Sequence, residues 1–182
     1  MVERLHGKRV ALLVADGFEQ IELTEPKRAL EEAGASAKIV SPADGRVKGW
    51  KHTDWGDEFD VDVALDSASE SDFDALVLPG GVMNPDALRQ NEKAVAFVRG
   101  FFDHHKPVAA ICHGGWTLAE ADVLQGRRIT SYPSIQTDLK NAGAVWVDEE
   151  VVVDNGLVTS RNPHDLPAFT TKLVEEIAEG RH

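Results

Sequence analysis

The chain has one cysteine, Cys112, set between an apolar run, Val108-Ala109-Ala110-Ile111, and the small residues of His113-Gly114-Gly115. The run reads as a buried strand and residues 116–121 read as a helix, so the thiol falls on a strand-to-helix elbow. Ala110 and Gly114 lie two positions to either side, as in the G-x-S-x-G nucleophile pattern with alanine in place of the first glycine. Such an elbow presents its central side chain, and its backbone N–H groups and helix dipole favour thiolate over thiol. A thiolate that attacks a carbonyl carbon needs donors for the resulting oxyanion and a group to move protons. Gly80-Gly81 can supply the donors, because without side chains its amides can approach a ligand closely. Free cysteines are commonly inert packing residues, and it is the elbow that shifts the reading of Cys112 to a nucleophile.

The elements that must position these residues are legible as hydrophobic patterns. Continuous apolar runs at 10–15, 37–41, 75–79 and 108–111 predict strands covered on both faces. Helical spacing predicts helices over 21–33, stopped by Gly34, over 92–105 and over 134–141. Short strands are expected at 129–132, 145–147, 151–153 and 157–160, and a last helix from Asn162-Pro163 to about Glu179, with Asn162 as N-cap. Residues 42–56 read as turns, and the acidic stretch 57–74, with Val61, Val63 and Leu65 alternating, as an edge strand or hairpin on a solvated flank. This alternation predicts a doubly wound α/β sandwich with a mostly parallel sheet, and its sites belong at the carboxyl ends of the strands. The segments holding Asp16 to Glu22, Gly80-Gly81, Cys112-His113 and Asn162 to Asp165 would then meet on one rim.

Bulk properties narrow the partners. A length of 182 residues, 42% of them hydrophobic, suits a single domain spanning 1–182. The formal net charge of −12 repels phosphate backbones, which argues against nucleic acid as a main partner. The polar start of the chain is unlike a signal peptide, and no apolar stretch is long enough to cross a membrane. A lone cysteine makes no internal disulfide, so the reducing cytoplasm is the expected compartment. The histidines show no metal-ligand spacing, and no metal is expected.

Four strings in order, Ala15-Asp16-Gly17-Phe18-Glu19-Gln20-Ile21-Glu22, Leu78-Pro79-Gly80-Gly81, Ala110-Ile111-Cys112-His113-Gly114 and Thr130-Ser131-Tyr132-Pro133, resemble the ThiJ/PfpI superfamily. Within it the chain is similar to the PfpI-type intracellular proteases and bacterial general stress proteins, from about Lys8 to about Phe169. The resemblance implies a flavodoxin-like sandwich, a homodimer or higher oligomer, and no metal or organic cofactor. Members have been described as peptidases, as glyoxalases, and as deglycases that remove methylglyoxal and glyoxal adducts from protein side chains. Carried over residue by residue, the resemblance makes Cys112 the nucleophile and His113 the histidine that follows it in the PfpI branch. Glu22, four residues before Pro26, matches the acid that hydrogen-bonds the sulfur, and Glu19 matches a second acid. Gly81, with the amide of Cys112 or His113, would hold the oxyanion. The PfpI branch completes its Cys-His-acid group with a glutamate from a neighbouring subunit, and Pro85-Asp86 occupies that place here. Aspartate is one methylene shorter, which weakens the peptidase geometry.

Two negative charges as close as a thiolate and Glu22 disfavour each other, so one proton must be shared, which predicts a raised Glu22 pKa and an acid/base role near neutral pH. The leading expectation is a stress-protective, cysteine-dependent hydrolase acting on small dicarbonyl-modified substrates. Peptide hydrolysis comes second, because it also requires His113 to be oriented by Asp86. A redox sensor or holdase chaperone with an oxidisable Cys112 is the rival from another class. Third is an amidotransferase using His164-Asp165, against which Asn162 and Asp165 look like an ordinary capping pair.

Overall fold

A computed structural model describes residues 4–182. β1 (Arg9–Leu13) is buried from Val10 onward. It is followed by the short β2 (Phe18–Glu19), α1 (Gln20–Glu32) and β3 (Ser36–Ser41), which pairs parallel to β1 and closes the first βαβ unit. Then come β4 (Arg46–Lys51), β5 (Asp54–Asp60), β6 (Val63–Ala64), β7 (Ala75–Leu78), α2 (Met83–Arg89), α3 (Glu92–Asp103) and β8 (Val108–Ile111). Beyond the elbow lie α4 (Gly115–Glu120), β9 (Arg128–Ile129), α5 (Gln136–Asn141), β10 (Val145–Trp146), β11 (Val152–Asp154), β12 (Leu157–Ser160) and α6 (Leu166–Glu179).

Seven strands form the central sheet in the order β11-β12-β8-β7-β1-β3-β6, parallel except for the β11–β12 pair. Strand side chains alternate between two apolar layers. Ala11, Leu13, Leu76, Leu78 and Ala110 face Val98 and Phe101 of α3 and Leu118 of α4. Val10, Leu12, Val77, Ala109 and Ile111 face Leu23 and Leu30 of α1 and Phe169, Leu173 and Ile177 of α6. The chain runs from β1 outward to β3 and returns to β7 on β1's other side, so the strand order reverses between β1 and β7. Loops leaving the carboxyl ends of strands diverge at such a switch point and open a crevice.

The doubly wound sandwich is therefore as expected, and three local readings need correction. Residues 42–56 are not a run of turns, because β4 and β5 form an antiparallel hairpin there, joined to β2 as a separate three-stranded sheet. This pairing depends on a two-residue strand 27 or more positions earlier, which no local pattern reveals. The seven-residue α2 was also unexpected, being too short for a helical period to show. Asn162 caps a 3₁₀ turn, Pro163–Asp165, by accepting from the His164 N–H at 2.9 Å, and α6 begins only at Leu166.

Candidate active site

Cys112 has φ of 62°, in the left-handed region that residues with a side chain rarely occupy. This turns the chain sharply from β8 into a 3₁₀ turn, Cys112–Gly114, and then α4, aiming the sulfur into a cleft of about 830 Å³. The cleft is lined by Glu19, Glu22, Trp50, Gly81, His113 and His164, among others. The amides of Gly81 and His113 both point to the sulfur as hydrogen-bond donors. Gly80 has no room for a side chain, since a Cβ there would lie 2.6 Å from Cys112 Cβ and 2.6 Å from Glu22 Oε1. Gly81 has φ of 76°, and a Cβ would meet the Gly17 carbonyl oxygen at 2.5 Å. The Pro-Gly-Gly turn thus wedges its backbone between the acid and the thiol.

Glu22, in the first turn of α1, is fully buried. Its Oε1 accepts from the Gly80 N–H at 2.9 Å, while Oε2 has no hydrogen-bond partner among the described residues. Burial pushes the carboxyl up to about 8, against the pull of the Gly80 amide, and the nearby charge of Glu19 raises it further. Oε2 is the oxygen left to carry the proton of the neutral acid. The Glu22 carboxyl is raised as expected, but by burial and not by the neighbouring sulfur, whose hydrogen bond lowers it.

The expectation that the elbow favours thiolate over thiol needs correction. Cys112 is 8% exposed, and burial, followed by the facing charge of Glu22, raises its pKa above the ordinary thiol value. The Gly81 and His113 amides oppose this without reversing it. The dipole of α4 adds little, because that helix has six residues and begins three positions beyond the sulfur. A thiolate here faces a neutral Glu22, whose negative charge is then absent, and the thiol's own proton must pass to another acceptor.

His113 is the histidine at the sulfur, with Nδ1 3.2 Å from Cys112 Sγ. Its ring stacks on Tyr132 at 4.7 Å and meets the edge of Trp116 at 5.1 Å, and Nε2 lies 3.2 Å from Ser134 Oγ. Burial lowers the His113 pKa, which favours the neutral ring. With Nε2–H donating to Ser134, Nδ1 is left as the acceptor facing the thiol. Asp86 lies on the exposed side of α2, beside a different hollow lined by Arg89, Glu92, Arg99 and Glu120. Within one chain it is not part of the Cys112 cleft. His164 sits exposed on the rim, and Asp165 is engaged elsewhere, holding Arg161 through its backbone N–H, Nε and Nη2, each at 2.9 Å. The anticipated Asn162–Asp165 capping pair is therefore split between two jobs. Glu19 is half-buried and accepts from the His52 N–H at 3.1 and 3.3 Å, tying the β4–β5 hairpin to the start of α1.

Two further residues had no signal in the sequence. Asn84 is fully buried in α2; its Oδ1 accepts from the Ala15 N–H at 2.7 Å and its amide donates to the carbonyls of Pro79 and Gly80, both at 3.0 Å. It clamps the loop after β1 to the turn after β7. Ser134, in the 3₁₀ turn before α5, has the hydroxyl on His113. Among the described residues, the one group that could hold a metal is Glu176, Glu179 and His182 at the end of α6, where His182 is ion-paired to Glu176 at 3.1 Å.

The switch-point cleft, the left-handed cysteine elbow and the facing buried acid define a flavodoxin-like α/β protein with a cysteine-centred site. Similar proteins include the deglycase TK1284 of Thermococcus kodakarensis, 47% identical over 167 residues, which cover 92% of this chain and 98% of that one. A candidate cysteine protease of Bacillus subtilis, YraA, is 46% identical over 90% of this chain and 94% of its own. Among solved structures, Drosophila melanogaster DJ-1beta superposes with a TM-score of 0.85 at 32% identity, covering 94% of this chain and 90% of that one. The chain belongs to the DJ-1/PfpI family, whose profile matches residues 8–176.

Proposed function

We propose that the protein is a cysteine-dependent hydrolase that removes glyoxal and methylglyoxal adducts from amines, in the manner of a deglycase. One observation carries this reading: the Cys112 sulfur, beneath the Gly81 and His113 amides, faces a fully buried Glu22 whose carboxyl titrates near neutral pH. In a methylglyoxal aminocarbinol, R–NH–CH(OH)–CO–CH₃, the Cys112 thiolate replaces the amine on the carbinol carbon. The departing nitrogen takes the Glu22 proton, leaving a hemithioacetal and an ionised Glu22. Glu22 then removes the proton from the sulfur-bearing carbon, the electron pair moves to the neighbouring carbonyl, and the proton returns to that second carbon while the hydroxyl proton of the first carbon passes to the oxygen of the second. The result is a thioester of lactate, whose hydrolysis by one water frees lactate and the thiol. No external oxidant is needed, because one carbon is oxidised as its neighbour is reduced. The Gly81 and His113 amides hold the oxyanions along the way.

Relatives named as deglycases support this reading, as does an acid/base that works close to neutral pH. The His113–Cys112 contact also favours peptide hydrolysis as a second reading, which would need Asp86 to arrive from a neighbouring subunit. The test is lactate and free-amine release from methylglyoxal-treated Nα-acetyllysine. Wild type should release both in equal amounts and Cys112→Ala neither; equal release by the variant would overturn the assignment. In the same assay, cleavage of peptide amides by wild type but not by Asp86→Asn would move the assignment to peptidase.

A further inference from the structure

The cleft has a second, built wall that the chemistry at Cys112 does not use. The β4–β5 hairpin is fastened to the first residues of α1 at several points. β2 pairs with β4 through Phe18–Gly49 and Glu19–Trp50, and Glu19 accepts from the His52 N–H. Gln20 accepts from the Asp57 N–H and donates to Asp57 Oδ2, each at 2.8 Å. Gly56 makes room for this amide, since a Cβ there would fall 2.2 Å from Gln20 Oε1. At the tip, Trp50 Nε1 donates to the His52 carbonyl at 2.9 Å, and Trp55 packs edge-on to Trp50 at 5.3 Å. The indole of Trp50 is thereby pre-oriented and forms part of a rigid wall.

Glu19, Ile21, Trp50 and His52 line both the Cys112 cleft and an adjoining hollow of about 490 Å³ that runs on to Thr24, Glu25 and Lys51, so one groove leads outward from the sulfur past this wall, with its one lysine at the outer end. Glu19 and Glu22 line the cleft together with Trp50 and Tyr132, and among the described residues no lysine or arginine does. Glu19 has no cationic partner in any ion pair among the described residues, and the single His52 N–H leaves most of its acceptor capacity unused. A carboxylate beside a fixed indole, in a cleft whose own lining holds no lysine or arginine, matches a planar, delocalised cation that can donate in a fork and stack on an aromatic face.

We infer that the Glu19–Trp50–His52 wall is a subsite for a guanidinium group, which directs the enzyme to arginine-derived substrates and presents their modified end to Cys112. This deepens the deglycase reading and rests on it for the reaction, but recognition at the wall can be measured without turnover. In the Cys112→Ser protein, chemical-shift titrations would compare N-acetylarginine methylamide with N-acetylcitrulline methylamide, which has nearly the same shape and no charge. The arginine probe should bind about tenfold more tightly at low salt, with the largest shifts at Trp50 and His52. Glu19→Gln keeps an acceptor for the His52 N–H while removing the charge, and Trp50→Leu removes the ring; each should bring the two probes to within about twofold. Equal binding of the two probes to the parent protein, or discrimination undiminished in both variants, would overturn the subsite. The parent comparison does not depend on how well either variant folds. Equal probes alongside intact lactate release would remove the subsite and leave the reaction, whereas arginine preference without lactate release would do the reverse.

Discussion

At the scale of single residues, burial sets the proton affinities of three adjoining groups. Glu22 is raised toward neutrality by burial, His113 is lowered by it, and Cys112 is held up until its proton has somewhere to go. Ser134 Oγ holds Nε2 of His113 at 3.2 Å and so helps orient the ring with Nδ1 toward the sulfur, which makes it a positioning residue. Ser134→Ala should lower kcat/KM by about tenfold and change the shape of its pH profile, with Ser134→Thr restoring both because it keeps a hydroxyl. An unchanged profile in the alanine variant would show that the hydroxyl is mere packing. Cys112, His113 and Glu22 were legible in the sequence because each stands in a short string with a definite chemical meaning. Ser134 was not, because a serine in a turn has the same local look whether or not a ring nitrogen lies 3.2 Å away.

At the scale of elements, the site depends on how firmly three loops are held together. Asn84 satisfies three backbone groups from two of them, and Asn91 has the simpler task of capping α3 by accepting from the N–H groups of Lys93 and Ala94. Replacing each with alanine separates the two roles. Asn91→Ala should cost about 1 kcal/mol, the ordinary value for a cap, and leave activity intact. Asn84→Ala strands a buried Ala15 N–H, so it should cost at least about 1–3 kcal/mol and also lower activity as the Gly80-Gly81 turn loosens. Urea midpoints and rates measured on the same samples check this, and a fully active Asn84→Ala would contradict the clamp. Strands buried on both faces were readable from their composition. The β4–β5 hairpin and α2 were not, since one depends on pairing with a distant two-residue strand and the other is shorter than two full turns.

At the scale of the whole molecule, burying Glu22 has a stability consequence that depends on pH. Between an ordinary carboxyl pKa of 4.5 and about 8, the folded protein keeps a proton that the unfolded chain has already lost. Fewer protons are bound on unfolding, so stability falls as pH rises through this window, by an amount on the order of a few kcal/mol in total. Glu22→Gln removes the titration and can still accept from Gly80 through its amide oxygen. Thermal melts at about pH 6 and about pH 9 should show wild type losing more stability than the variant, and parallel losses would refute a proton held at Glu22. The net charge of −12 bears on partners at this same scale, and it agrees with a groove that admits a cation.

The sequence by itself determined the architecture and the rim on which the functional strings meet, and its resemblance to the ThiJ/PfpI superfamily implied the pairing of the Cys112 thiol with Glu22. The architecture and the rim follow from local patterns: apolar runs define buried strands, and glycines mark close backbone approach. Tertiary structure alone decided that Asp86 lies beside a different hollow within its own chain and that a tryptophan-bearing hairpin walls the groove. It also decided the balance of proton affinities, with the thiol raised where the elbow suggested it would be lowered. Each of these turns on burial and on distances between residues far apart in the chain, and the cost of desolvating a charge cannot be assigned until the surrounding atoms are in place.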